Sequence, residues 1–126
     1  AIGGNLSVID TSTHKVAETI TLGLDSRPVE VAVDPTSSLI YVAGGGTSAV
    51  YVVDTASNEV VNVIREQMGR RPWGIAITPD GKKVYTANGL SDSVSVIDTA
   101  CGCVVANVSA GRGAHSAEIG VIPDGL

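Results

Sequence analysis

The 126-residue sequence predicts an all-β protein built of tandem antiparallel sheets, and three observations carry that reading. Short runs rich in Val, Ile and Thr alternate apolar with polar residues, as half-buried strands do. Turn clusters such as Pro79-Asp80-Gly81 and Asn88-Gly89 separate these runs at hairpin spacing. The chain also overlies itself when shifted by 44 residues.

The repeat is visible at many positions. Asp10, Asp54 and Asp98 each close an apolar run and are followed by Thr11, Thr55 and Thr99. Pro35, Pro79 and Pro123 stand at the same step, as do Arg27 with Arg71, Pro28 with Pro72 and Tyr41 with Tyr85. Val31, Ile75 and Ile119 align, and so do Val33, Ile77 and Val121. No insertion breaks the register, so the chain divides into repeats of approximately 1–44, 45–88 and 89–126. A period in the forties with four short strands per unit fits a β-propeller blade. Leucine-rich and helical repeats need long 3.6-period apolar stripes, and none is present.

The expected strands follow from this pattern. A strand covers 6–10, 11–14 is a turn, and 15–21 is the next strand. After a loop at 22–27 come strands at 28–33 and 39–43 around a turn at 34–37. The triple glycine at 44–46 reads as a flexible connection. The cycle then recurs, with strands near 50–54, 59–64, 72–77, 83–87, 94–98, 103–108 and 117–121.

The segment Arg-Pro-Trp-Gly-Ile-Ala-Ile-Thr-Pro-Asp-Gly-Lys-Lys-Val-Tyr-Thr-Ala-Asn at 71–88, followed by Ser-Val-Ser-Val-Ile-Asp-Thr-Ala at 93–100, resembles the YVTN-type β-propeller repeat. That repeat is found in surface-layer and secreted proteins of archaea and bacteria. The signature tetrapeptide stands as Tyr85-Thr86-Ala87-Asn88, and more loosely as Tyr41-Val42-Ala43-Gly44. The resemblance spans essentially the whole chain. It implies an extracellular, cell-surface or periplasmic location. Every repeating residue has a folding role and no acid-base or nucleophile-base set assembles from the sequence, so the residues read as a non-enzymatic scaffold that mediates protein or ligand interaction. Similar repeats also resemble parts of the amine-dehydrogenase heavy chain, nitrite- and nitrous-oxide-reductase propellers and lactonase-like enzymes. The alternative is therefore part of a propeller enzyme or electron-transfer subunit with its site at the channel mouth.

In blade naming, the innermost strand A ends at the Pro-Asp-Gly turn, B carries the Tyr, C ends in Ile-Asp-Thr and D leads to the next A. The chain thus runs C-D, A-B-C-D, A-B-C-D, A. A propeller ring closes with about four to eight blades, and closure hides its sheet edges. Three incomplete blades do not close, so the expected partners are further propeller blades or copies of this chain, with surface proteins or an anionic ligand beyond them.

Composition narrows the classes. A net charge of -5 argues against a nucleic-acid partner. No apolar run reaches membrane-spanning length. The start at Ala1 suggests a processed or excised chain. With no Phe and a single Trp, the core must be aliphatic and thin.

Candidate chemistry gathers in the loop before strand A. Arg27, Arg71 and His115 are repeat-equivalent, with Arg70 and Arg112 beside them and Trp73 close by. In a propeller this loop lies at one mouth of the channel, so these groups form a candidate anion- or carboxylate-binding ring. The competing reading is that each Arg caps carbonyls or pairs with an acidic neighbour such as Glu30 or Glu118. His14 belongs on a C-to-D turn, away from that mouth, and no Cys/His cluster suits a metal or cofactor. Cys101-Gly102-Cys103 departs from the repeat, whose equivalent residues are Thr13-His14-Lys15 and Ser57-Asn58-Glu59. The pair could form a small-ring disulfide, cross-link copies or bind a soft metal. The recurring Asp residues and the Pro-Asp-Gly turns read as turn chemistry rather than catalysis. Two sequons, at Asn5 and Asn107, are compatible with a surface protein.

Overall fold

A computed structural model describes residues 4–111. Arg112, His115, Glu118 and the strand expected at 117–121 lie outside the described residues.

Ten strands follow in order: β1 (Asn5–Asp10), β2 (Lys15–Thr21), β3 (Pro28–Val33), β4 (Leu39–Gly44), β5 (Ala49–Asp54), β6 (Glu59–Ile64), β7 (Pro72–Ile77), β8 (Lys83–Asn88), β9 (Ser93–Asp98) and β10 (Cys103–Ser109). All pairings are antiparallel between chain neighbours. They build two four-stranded meanders, β3-β4-β5-β6 and β7-β8-β9-β10, preceded by the hairpin β1-β2. Strand types therefore run C-D, A-B-C-D, A-B-C-D, as the repeat requires.

The turns explain why the strands stop where they do. Asp10, Asp54 and Asp98 each accept the amide two residues on, from Ser12 (2.8 Å), Ala56 (2.8 Å) and Ala100 (2.9 Å). These side-chain turn bonds reverse the chain. The Thr after each Asp has a second task in the two meanders. Thr55 Oγ1 donates to the Ser38 carbonyl at 2.7 Å, and Thr99 Oγ1 to the Gly81 carbonyl at 2.6 Å. Each Thr thus ties its C-D turn to the A-B turn of the same sheet.

Irregularities repeat as faithfully as the strands. The ladder slips in each C-D pair where Ala17, Val61 and Val105 stand, three positions one repeat apart. It slips again where Val29 and Trp73 stand in the A-B pairs. Bulges at fixed repeat positions bend and twist each sheet in the same way.

The two meanders approach through β3 against β7 and β4 against β7, and diverge toward their fourth strands. This is a fan, with strand A at the hinge. Between the sheets lies an aliphatic core. Tyr41, Val50, Val52 and Ile64 come from one side, and Ile75, Val84, Ile97 and Val104 from the other. Each fully buried Val or Ile of this kind contributes about 1.5–3 kcal/mol. The hairpin β1-β2 packs Ile20 and Leu22 on the opposite face of the first meander, against Val42, Ala49, Tyr51 and Val53.

The triple glycine is not a flexible connection. Gly44 ends β4, and 45–48 form an ordered turn in which the Gly45 and Gly46 amides donate to the Arg27 (3.0 Å) and Ser26 (3.1 Å) carbonyls. A side chain at Gly44 would stand 2.5 Å from the Tyr51 ring, so glycine is required there for close packing.

Candidate functional site

The B-C turn at 45–48 wedges between two successive A-strand loops. Its Ser48 Oγ accepts the Arg71 amide at 3.0 Å, and Gly45 lies against both the Arg27 and the Pro72 carbonyls. The loops carrying Arg27 and Arg71 are thereby held at the same end of the two sheets. Both arginines adopt left-handed backbone, at φ 44° and 58°. For a residue with a Cβ that conformation costs about 1–2 kcal/mol. The bonds accepted by their carbonyls, from Gly45 to Arg27 and from Gly89 to Arg71 at 3.0 Å each, hold the loops in it.

The Arg71 guanidinium lies over the Trp73 ring, 5.0 Å from its centroid. Trp73 sits at the bulge of β7 and is 36 % exposed, so it offers an open aromatic edge beside a cation. Such stacking leaves the guanidinium's in-plane N–H donors available for a forked acceptor. Among the described residues Glu30 forms no ion pair with an arginine. Its carboxylate accepts the Ile75 amide at 3.2 Å, stitching β3 to β7. Among the described residues the ion pair formed is Lys83–Asp98 at 3.2 Å, at the opposite, A-B-turn end of its sheet.

His14 occupies the β1-β2 turn with φ 58° and is exposed. Among the described residues no group of three or more His, Cys, Asp or Glu could hold a metal ion. No helix among them is long and apolar enough to cross a membrane.

A buried polar chain lies behind this rim in the second meander. Thr86 Oγ1 donates to Asn88 Oδ1 at 2.9 Å, and Asn88 Nδ2 donates to Ser95 Oγ at 2.9 Å. Ser95 Oγ donates to Asn107 Oδ1 at 2.6 Å and accepts the Gly69 amide at 3.0 Å. Asn107 Nδ2 then donates to the Gln67 carbonyl at 2.8 Å. Asn88, the last residue of the signature tetrapeptide, is thus an interior brace. The first meander fills the same space with Gly44 and Tyr51, whose hydroxyl bonds Thr47 Oγ1 at 2.7 Å. The sequon amide of Asn107 is engaged in this chain.

The carboxylates of Asp10, Asp34, Asp80 and Asp98 are held below the ordinary range. The Ser12 hydroxyl does this for Asp10 and the Thr78 hydroxyl for Asp80. For Asp98 the Ala100 amide leads, followed by Lys83. Burial works against ionisation of Asp34, but bonds from Thr36 and Ser37 outweigh it. Burial, and then the Asp34 charge, push the Tyr41 phenol up.

No family model matches the sequence, and no curated protein matches it. Among solved structures the chain is similar to hydrazine synthase of Kuenenia stuttgartiensis, with a TM-score of 0.79 and 28 % identity over 87 % of this chain and 31 % of that one. With the fan of four-stranded meanders, this likeness decides the architecture. The chain is a run of β-propeller blades. A functionally unknown protein from Desulfotomaculum acetoxidans matches with a TM-score of 0.67 at 21 % identity, over 86 % of this chain and 36 % of that one. Apo AztD from Citrobacter koseri matches with a TM-score of 0.69 at 20 % identity, over 87 % and 30 %. The chain spans about a third of the length of each of these three chains.

Proposed function

We propose that this chain is a non-enzymatic propeller scaffold of the YVTN type, at the cell surface or in a secreted or periplasmic protein, whose β3 face takes another blade of the same repeat. One observation carries this reading. Val31 is 42 % exposed, whereas its repeat-equivalent Ile75 is 4 % exposed beneath the preceding meander. Val33, two residues on along the same face, is 65 % exposed. The first meander thus presents the surface that the second has covered. The hairpin in front of it supplies only strands of type C and D, and β1 pairs on one edge only among the described residues. A covering blade contributes the A-B hairpin that seats on Val31 and on that edge.

The channel mouth is the ligand-binding part of this proposal. Arg27, Arg71 and Trp73 suit an anionic group such as a carboxylate, with His115 repeat-equivalent to the two arginines and Arg112 near it in sequence. The scaffold reading is supported by the mouth residues Arg27, Arg71 and Trp73, which supply cations and an aromatic ring for binding rather than an acid-base pair.

The test is native mass. The unaltered chain is expected to associate, and Val31→Asp to shift it toward monomer with its strand content kept. Identical association in the variant would remove β3 from the interface.

A further inference from the structure

The Cys101-Gly102-Cys103 turn has no scaffold task that explains its sulfurs. The other two C-D turns hold the same left-handed centre, at His14 (φ 58°) and Asn58 (φ 56°), against φ 63° at Gly102. Thr13 with Lys15, and Ser57 with Glu59, stand where the cysteines do. The turn amide bond to the Asp is also kept, from His14 to Asp10 at 2.7 Å and from Gly102 to Asp98 at 2.9 Å. Two of the three copies thus build this turn without a bridge. In the third copy the two cysteines are joined by a disulfide. A disulfide stabilises more the longer the loop it closes, and this one encloses a single residue.

Its surroundings favour reaction instead. Both cysteines are exposed. The turn leans into the outer cleft where the two meanders diverge, with Asn62 Nδ2 of β6 3.5 Å from the Gly102 carbonyl. Gly102 and Cys103 line a cavity of about 440 Å³ there together with Val63, Ile64, Arg65 and Glu66. Cys101 faces elsewhere. Its sulfur lies 3.6 Å from the Asp98 carbonyl oxygen, on a separate cavity lined by Leu39, Tyr41 and Val52. The Cys103 side holds the Arg65 guanidinium, with the Glu66 carboxylate also on the cavity wall, whereas Cys101 Sγ stands against a carbonyl oxygen, which disfavours approach of an anionic nucleophile.

We propose that Cys101–Cys103 is a thiol–disulfide exchange site for low-molecular-weight thiols, entered at Cys103 from the cleft beside Arg65. A thiolate RS⁻ attacks Cys103 Sγ. An S–S bond forms between R and Cys103, the bond between the cysteines breaks, and its electron pair leaves on Cys101, which takes up a proton. A second thiol attacks the mixed disulfide and releases RSSR. The protein is then reduced by two electrons and holds two thiols, and two RSH have become one RSSR. Because neighbouring copies form the same turn without sulfur, the blade keeps its fold through the cycle.

Reduced glutathione at millimolar concentration is the probe, applied to the native chain and followed by alkylation and peptide mapping. Loss of the bridge with unchanged strand circular dichroism is expected, with transient glutathione on Cys103. Arg65→Gln, on an exposed edge of the cleft, is expected to slow the first step about threefold, as one partly screened charge would. A bridge that opens only after urea is added would overturn the proposal. Glutathione found on Cys101, or an unchanged rate in Arg65→Gln, would overturn the assignment of the entry side.

Discussion

The Ser48 hydroxyl accepts the Arg71 amide at 3.0 Å, and so one blade's B-C turn holds the next blade's rim loop. Ser48 does this from a left-handed backbone, φ 52°, which its repeat-equivalent Asp92 shares at φ 49°. At Ser48 a short polar side chain in that conformation joins two blades, and the conformation recurs with the repeat.

Removing the hydroxyl while keeping the Cβ separates its two effects. Ser48→Ala is expected to lose about 1 kcal/mol of stability in urea unfolding through the lost bond. Ser48→Gly loses the same bond but relieves the left-handed backbone by about 1 kcal/mol, so its stability should stay near that of the parent. Equal losses in both variants would mean that backbone strain plays no part at this turn.

Gly44 with Tyr51 and Asn88 with Ser95 are two solutions to one packing problem. Gly44→Ala drives a Cβ into the Tyr51 ring and is expected to destabilise by about 1–3 kcal/mol. Combining Gly44→Asn with Tyr51→Ser should be less harmful than the sum of the single changes, because the pair imports the second meander's arrangement. Strict additivity in denaturation midpoints would contradict the equivalence. Asn88→Ala, which strands the buried Thr86 hydroxyl and removes one donor to Ser95, is expected to lose about 1–3 kcal/mol.

Acid should weaken the fold by a defined route. Asp10, Asp34, Asp80 and Asp98 all have folded pKa values below the ordinary 3.8. A depressed carboxylate adds stability that is fully present above its unfolded pKa and is lost as pH falls through the folded value. The unfolding midpoint should therefore hold steady from neutral pH to about 5 and fall below about 4. Asp34→Asn should flatten that fall most, since Asp34 is the buried member of the set. An acid limb unchanged in this variant would shift the effect onto other groups.

The channel mouth has a built-in reporter, because Trp73 is the sole tryptophan. Titration with a dicarboxylate at low salt is expected to alter its fluorescence, and Arg71→Ala to abolish the saturable change. Rising salt should weaken the response, as exposed charges are screened within about 10 Å at 0.1 M ionic strength. A response that survives the loss of Arg71 would detach ligand binding from this residue.

Much of the architecture was legible in the residues. Alternation, turn dipeptides and the shared period located each of the ten strands to within about a residue at each end, since a buried face and a tight turn both constrain the register. Less of the site could be read. Arg71 beside Trp73 followed from their spacing. The Glu30 bond to the Ile75 amide joins different sheets, and no local pattern signals it. Gly44–Gly46 looked flexible because glycine alone does not reveal what packs against it. Asn88 stood out as part of a signature, yet its brace depends on Ser95 and Asn107, which are legible only when the two meanders are compared position by position. The Val31 face is the converse case. Its sequence is that of Ile75, and only the structure shows which of the two is covered.

Labelling at Val31 tests the central claim most directly. Val31→Cys, measured with a thiol reagent across a range of protein concentrations without reductant, reports whether the β3 face is occupied while the native bridge stays closed. The account predicts that labelling slows markedly as protein concentration rises and the face is covered by another blade, whereas Ile75→Cys stays protected throughout. A Val31→Cys thiol that reacts at the rate of an open surface group at every concentration, in a stably folded chain, would contradict it.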